Sequence, residues 1–286
     1  MLQYKHTFDA IGTKWQIETA EALSRPIVND IHAIIESYDK TYSRFRHDST
    51  VTQMTKTAGT YAFPNDSIEL VEFYRTLYNV TNGHVTPLIG SMLESAGYDA
   101  KYSMRIQEQP ALPSWDDTMQ WNGTTVTTTR PITLDIGAAG KGQLIDIIST
   151  LLIRNNINEY VIDASGDLIH KGLSENIVGM EHPLDPSKII GTVVVQNSSL
   201  CASASNRRVW GGGMHHIFNP HEKQPTQDII ATWVIAKQAM IADGIATALF
   251  FTDPKKLLQS FDFHYLRMHH DGSIEYTSKF KEGLFV

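Results

Sequence analysis

Apolar positions recur along this chain with two periods, and the places where one gives way to the other mark the elements. Residues 7–18 alternate in the manner of a strand. Over residues 20–43, Ile27, Ile31, Ile34 and Ile35 stand at helical spacing and predict an amphipathic helix. A second helix is framed by Asn65 to Ser67 at its start and by Asn82 and Gly83 at its end. Residues 100–121 are polar and Pro-rich and read as a connection, after which TTVTTTRPITLDIG supplies β-branched residues with a hairpin character. A helix over 143–155 and a strand at EYVIDAS follow. Three short strands come next, NIVGMEH, IIGTVVVQN and ATWVIAK, then a helix over 238–251, another over 254–260 and a terminal strand pair. Helices and strands mix without regular βαβ alternation, which predicts an α+β fold of mixed sheets with packed helices. The chain reads as one domain over 1–286, with a boundary near 125 separating subdomains 1–125 and 126–286 at most.

The helix over 238–251 contains an anomaly. Within AMIADGIATALFF, Asp243 is the one carboxylate among apolar or small residues, and an isolated charge in such surroundings costs several kcal/mol unless it is neutralised. Thirteen residues are too few to span a membrane, so this is a buried or half-buried helix. Thr247 lies one turn beyond Asp243 on the same face, and Gly244 between them costs about 1 kcal/mol against Ala while leaving room for close approach. A carboxylate and a hydroxyl form an all-oxygen pair that suits Mg²⁺ better than zinc. The alternative is that Asp243 caps a neighbouring loop by accepting backbone N–H bonds, and the segment alone favours that simpler role.

Composition narrows the classes. The chain has 286 residues, 42% of them hydrophobic and 19% charged, enough for an ample globular core. A formal net charge of −7, with the basic residues scattered, argues against nucleic-acid partners. Cys201 is the single cysteine, so neither an internal disulfide nor a Cys-rich zinc site is available, and the residue reads as a small core side chain. The N-terminal residues show no basic-then-apolar leader, no lipid-attachment cysteine is visible and no membrane span stands out, which leads to the expectation of a cytoplasmic protein.

Two loops carry candidate chemistry. In LDIGAAGKGQLID, residues 134–146, a strand runs into a helix through Gly137, Ala138, Gly140 and Gly142, an arrangement that exposes backbone amides to an anion beside the positive end of a helix. Lys141 adds a compact charge. The spacing matches neither the Walker A loop nor G-x-G-x-x-G, and tight-turn glycines are often structural. In GGGMHHIFNPHEKQP, residues 211–225, His215 and His216 point to opposite faces of an extended chain, so one of them can enter a given site as a general base. Asn219 and Pro220 mark a turn. Asp163 and Asp167 flank a turn at SGD, and Arg207 and Arg208 either steer phosphates or are simply solvated.

Four segments in order, SRF at 43–45, LDIGAAGKG at 134–142, HHIFNP at 215–220 and ADGIATALF at 242–250, make the chain resemble the ApbE family of flavin transferases. Weaker matches at FDAIGTKW, DASGDLIHKG and VGMEHPLDPSK extend the likeness over nearly the whole length. The resemblance implies a substrate, FAD, and a cofactor, Mg²⁺, with FMN moved onto a Ser or Thr hydroxyl of an acceptor protein and AMP released; some relatives instead hydrolyse FAD. It implies Gly140, Asp243 and Thr247 as metal ligands, His216 with Asp243 as catalytic residues, and Tyr42, Ser43, Arg44, Phe45, Gly137, Ala138, Lys141, Gly142 and His216 as the cofactor-binding set. For Tyr42, Arg44 and Phe45, packing beside a helix end is the competing role.

Three segments depart from the family's pattern. G-x-F-D-P-T is here Gly83-His84-Val85-Thr86-Pro87-Leu88, A-T-S-G-D-Y is Cys201-Ala202-Ser203-Ala204-Ser205-Asn206, and the D-P-x-T-G turn is Asn219-Pro220-His221-Glu222-Lys223. The metal pair and the glycine loop are intact. The departures keep open an FAD pyrophosphatase and a non-catalytic FAD-binding module as alternatives to the transferase.

Overall fold

The computed structural model describes residues 2–207 and 209–285. The alternation over 7–18 resolves into two strands, β1 (Tyr4–Ala10) and β2 (Thr13–Thr19), paired antiparallel. Between them Ile11 has φ 42° and Gly12 has φ 78°. Two consecutive positive φ values are what a two-residue hairpin loop needs to match the twist of its strands.

Six further strands continue the same sheet: β3 (Tyr160–Asp163), β4 (Leu168–Lys171), β5 (Ser199–Ala204), β6 (Ile229–Ala236), β7 (His264–His269) and β8 (Ile274–Tyr276). They lie in sequence order, β1 through β8, and each neighbouring pair is antiparallel. The sheet is therefore one long meander, with most other elements inserted between its strands and a short helix, Ser278–Lys281, after the last. Period-two alternation sorts its faces. From β6, Ala231, Trp233 and Ile235 enter a core with Leu168, Val195, Leu266 and Phe280. On the other face Thr232 donates its hydroxyl to the Ala246 carbonyl at 2.7 Å.

The longest helices among the described residues are α1 (Arg25–Tyr42), α2 (Ser67–Val80), α3 (Gly140–Arg154) and α4 (Ala239–Ala248). Helix α3 starts three residues earlier than its apolar pattern indicates, so Gly140, Lys141 and Gly142 form its first turn. Helix α4 is buried nearly all round, which explains why its sequence lacks a polar face. A separate hairpin, Asn176–His182 with Asp185–Val195, covers the core face of the sheet through Met180, Val193 and Val195.

The chain forms two compact units that interleave in sequence: residues up to 35, 139–206 and from 227 onward make the first, and residues 36–138 with 207–226 make the second. The expected boundary near 125 is not where they part, because the sheet is completed by strands from both ends of the chain. The second unit has α2, a three-stranded sheet (Thr60–Ala62, Thr125–Thr128 and Met119–Asn122, in that order), and a core of Met92, Leu93, Ala96, Tyr98, Trp210 and Phe218. Among the described residues no helix is long and apolar enough to cross a membrane.

Candidate active site

In the first unit, the start of α3 presses directly on the start of α4. A Cβ at Gly142 would stand 2.2 Å from the Ala239 carbonyl oxygen, so this approach requires glycine. Two carboxylates are exchanged across the contact. The Gly142 amide donates to Asp243 Oδ2 at 2.9 Å. In the other direction Asp146 accepts from the first turn of α4, Oδ1 from the Ala239 amide at 3.0 Å and Oδ2 from the Met240 amide at 2.8 Å.

Charge gathers at the same place. Lys141 Nζ stands 2.5 Å from Asp167 Oδ2, while Asp167 Oδ1 accepts from the Ala202 amide at 3.0 Å. Asp167 is 1% exposed and Asp243 5%. Burial drives the Asp243 carboxyl well above the ordinary carboxylate range; Asp167 and Asp146 push the same way, and Lys141 with the Gly142 amide only partly oppose them. Burial alone would pull the Lys141 ammonium down, but attraction to Asp167 and Asp243 outweighs it and the net shift is upward. Cys201 lies against this group, its Sγ 3.5 Å from the Ala239 carbonyl, and burial followed by the two aspartates raises its thiol well above the usual value. It is a protonated packing residue, as expected from the sequence.

The donor chemistry fits a hard divalent cation. Asp167 and Asp243 lie against the single ammonium of Lys141, half-buried Asp146 adds to the repulsion on Asp243, and added positive charge would relieve it. Asp243, half-buried Thr247 one turn on and Gly140 at the head of α3 all belong to this unit and offer only oxygen. Among the described residues no group of three or more His, Cys, Asp or Glu is placed to hold a metal, and the expected set has one carboxylate, a hydroxyl and a carbonyl.

Several loop residues have duties other than those expected. The Gly142 amide is taken by Asp243, and the Gly137 amide donates to Asp135 Oδ1 at 2.7 Å. The glycine loop thus spends two of its amides on carboxylates, and the anion cradle pictured from sequence is reduced accordingly. Gly137 is exposed and Ala138 half-buried.

In the second unit, Arg44 is 6% exposed, with Nε 2.5 Å from Asp135 Oδ2 and Nη1 donating to the Tyr98 carbonyl at 2.8 Å. Its guanidinium lies 4.2 Å from the Phe45 ring centroid and 4.9 Å from that of Tyr98. This arginine fastens the SRF segment to the loop at Asp135. Tyr42 is 4% exposed, packed on Tyr38 and Phe63, with its hydroxyl donating to Asp66 at 3.2 Å. This burial favours the packing role over the flavin contact that the resemblance implies. Ser43 follows the end of α1, its amide bonded to the Asp39 carbonyl at 3.0 Å, and it and Phe45 remain half-buried.

The two histidines differ in burial. His215 is buried, with Nε2 2.9 Å from the Thr226 carbonyl oxygen, and burial depresses its pKa against the opposing effect of that hydrogen bond. His216, next along the chain, is half-buried. Thr86, at the place of the pattern's aspartate, caps the turn that follows it, its hydroxyl accepting the Leu88 amide at 3.2 Å. Arg207 is exposed, and Arg208 lies outside the described residues.

Two members of the buried cluster are hard to find from sequence. Of the two aspartates expected to flank the SGD turn, Asp163 accepts the Gly166 amide at 3.2 Å, whereas the Asp167 carboxylate pairs with Lys141 and the Ala202 amide. Asp146 has one visible signal, a carboxylate flanked by Leu144, Ile145, Ile147 and Ile148 early in a helix. A separate hollow of about 500 Å³ is lined by Asp228, Asp253, Asp271, His269 and His270, but its arginine, Arg267, is engaged by Glu275 at 2.7 Å.

The chain is similar to known proteins. The profile of the ApbE family matches residues 11–267. The FAD:protein FMN transferase of Vibrio cholerae is 20% identical over 262 residues, covering 84% of this chain and 78% of that protein. That of Rhodobacter capsulatus is 24% identical over 303 residues, with 97% of this chain and 58% of that protein covered. Among solved structures, the ApbE protein of Thermotoga maritima superposes with a TM-score of 0.84 at 19% identity, covering 97% of this chain and 98% of that one. At that identity the superposition establishes the fold.

Proposed function

The chain belongs to the ApbE family, and from that premise we propose that it is a Mg²⁺-dependent FAD:protein FMN transferase. Its reaction would form a bond from a Ser or Thr oxygen of an acceptor protein to the FMN phosphorus and break the pyrophosphate bridge, with AMP as the leaving group. The names of the Vibrio cholerae and Rhodobacter capsulatus relatives support the reaction class. The observation that carries the reading is the buried Asp243 carboxylate, crowded by Asp167 and Asp146 at the position of the family's metal ligand.

Gly140 through its carbonyl, Asp243 and Thr247 would hold the ion. Bound there, Mg²⁺ would offset the charge that develops on the diphosphate as AMP departs. Lys141, kept cationic by its aspartate neighbours, adds positive charge at the head of α3. His216, half-buried and beside a structural His215, is the residue to accept the acceptor hydroxyl's proton. Phosphoryl transfer asks mainly for positioning and charge compensation, which are the roles this reading gives to these residues.

The test is incubation of the protein with FAD and Mg²⁺, with and without a Ser/Thr-bearing acceptor. Covalent flavin on the acceptor together with equimolar AMP supports transfer. AMP and FMN formed without acceptor indicate a pyrophosphatase, and FAD bound but unaltered indicates a binding module.

A further inference from the structure

Helix α4 begins without a cap of its own. Its N-cap residue Gln238 is extended (φ −110°, ψ 142°) and makes no side-chain capping bond, and its first turn contains no acidic residue. The Ala239 and Met240 amides instead receive the two oxygens of Asp146, a residue of α3. A local cap would fasten the end of α4 only to itself, whereas this one fastens α4 to α3. The distinction matters because α4 bears Asp243 and Thr247 and α3 begins at Gly140. The return bond, from the Gly142 amide to Asp243, closes a loop of contacts between the same two helices.

We propose that Asp146 is a positioning residue for the metal site, setting the placement of the α4 ligands against the Gly140 carbonyl by gripping the first turn of α4. The proposal rests on the reading of Gly140, Asp243 and Thr247 as a Mg²⁺ site. A carboxylate taking two N–H bonds at a helix N-terminus is held both by charge-assisted hydrogen bonds and by the helix dipole. Partners that orient metal ligands in this way are typically worth about 10–100-fold in metal affinity.

Positioning and simple helix capping are separable. Asp146→Asn removes the charge and presents an NH₂ group to one of the amides. Adding Gln238→Asp then supplies a local cap to α4 without restoring the tie to α3. Calorimetric titration with Mg²⁺ alone, thermal melting, and the Mg²⁺ dependence of AMP release from FAD are measured on wild type, Asp146→Asn and the double variant. The expected result is a lowered Tm in Asp146→Asn that the double variant recovers, with Mg²⁺ affinity weakened about tenfold or more in both. Should Asp146→Asn fail to fold, the double variant alone decides. Mg²⁺ affinity equal to wild type in either variant overturns the positioning role. If the wild type binds no Mg²⁺, the metal reading itself falls and takes this proposal with it, an outcome distinct from the former.

Discussion

The Gly142 amide donates to the Asp243 carboxylate across 2.9 Å, from a glycine whose missing side chain is what lets the two helices touch. That glycine is therefore structural before it is anything else. Gly142→Ala gains up to about 1 kcal/mol in helix propensity, but it forces a Cβ against backbone atoms at 2.2 Å. Overpacking of this kind costs about 1–3 kcal/mol. Urea denaturation should show a lower midpoint for the variant; an unchanged or higher midpoint would mean that the helices yield easily.

Asp243→Asn keeps an acceptor for the Gly142 amide and removes the charge. The metal-free variant is expected to be at least as stable as wild type, because an expensive buried carboxylate is gone. Wild type should gain Tm with Mg²⁺ by mass action, and the variant should not. Mg²⁺-dependent AMP release should vanish in Asp243→Asn, and a variant that keeps it would remove Asp243 from the metal site.

His216→Ala should reduce kcat for FMN transfer by about 10²–10⁴-fold, the usual worth of a general base, while leaving FAD binding in place. His215→Ala should act on stability instead, since its ring is bonded to the Thr226 carbonyl. Equal transfer rates for wild type and His216→Ala in single-turnover measurements would end its assignment as base.

Arg44→Ala leaves Asp135 without its cation and the Tyr98 carbonyl without its donor. Breaking a buried pair from one side costs about 3–5 kcal/mol. Combined with Asp135→Asn the loss should be clearly less than additive, because both changes remove the same interaction. Additive denaturation energies would refute the coupling.

Burial lowers the pKa of His170 and of His215, so each is held neutral in the fold and takes up a proton more readily when unfolded. The unfolded chain then binds more protons between the depressed folded values and about 6.5. Their contribution to stability is complete above that upper limit and is lost as pH falls through it. Melting between pH 7.5 and 5 should show Tm declining toward acid, with a shallower decline in the His170→Gln, His215→Gln double variant. A decline of equal slope in the two proteins would place the acid sensitivity elsewhere.

Periodicity made most elements legible. The Ile27, Ile31, Ile34 and Ile35 pattern foretold α1, and Asn82 with Gly83, both at positive φ, foretold the end of α2. The hairpin between β1 and β2 escaped notice because Ile11, at φ 42°, is not a residue type that announces a turn. Asp243 also stood out locally, since a lone carboxylate in an apolar helix is a physical anomaly wherever the helix lies.

What the sequence determined by itself was the class of the fold, the position of most of its helices and strands, the family, and the presence of one charge that needed an explanation. The tertiary structure decided which groups answer that charge. Asp243 meets an amide 101 positions away, and Asp146 reaches one 93 positions ahead. Spacing along a chain encodes which face a residue shares with its near neighbours, but a buried carboxylate is governed by whatever donors and charges folding brings to it, and those come from distant segments.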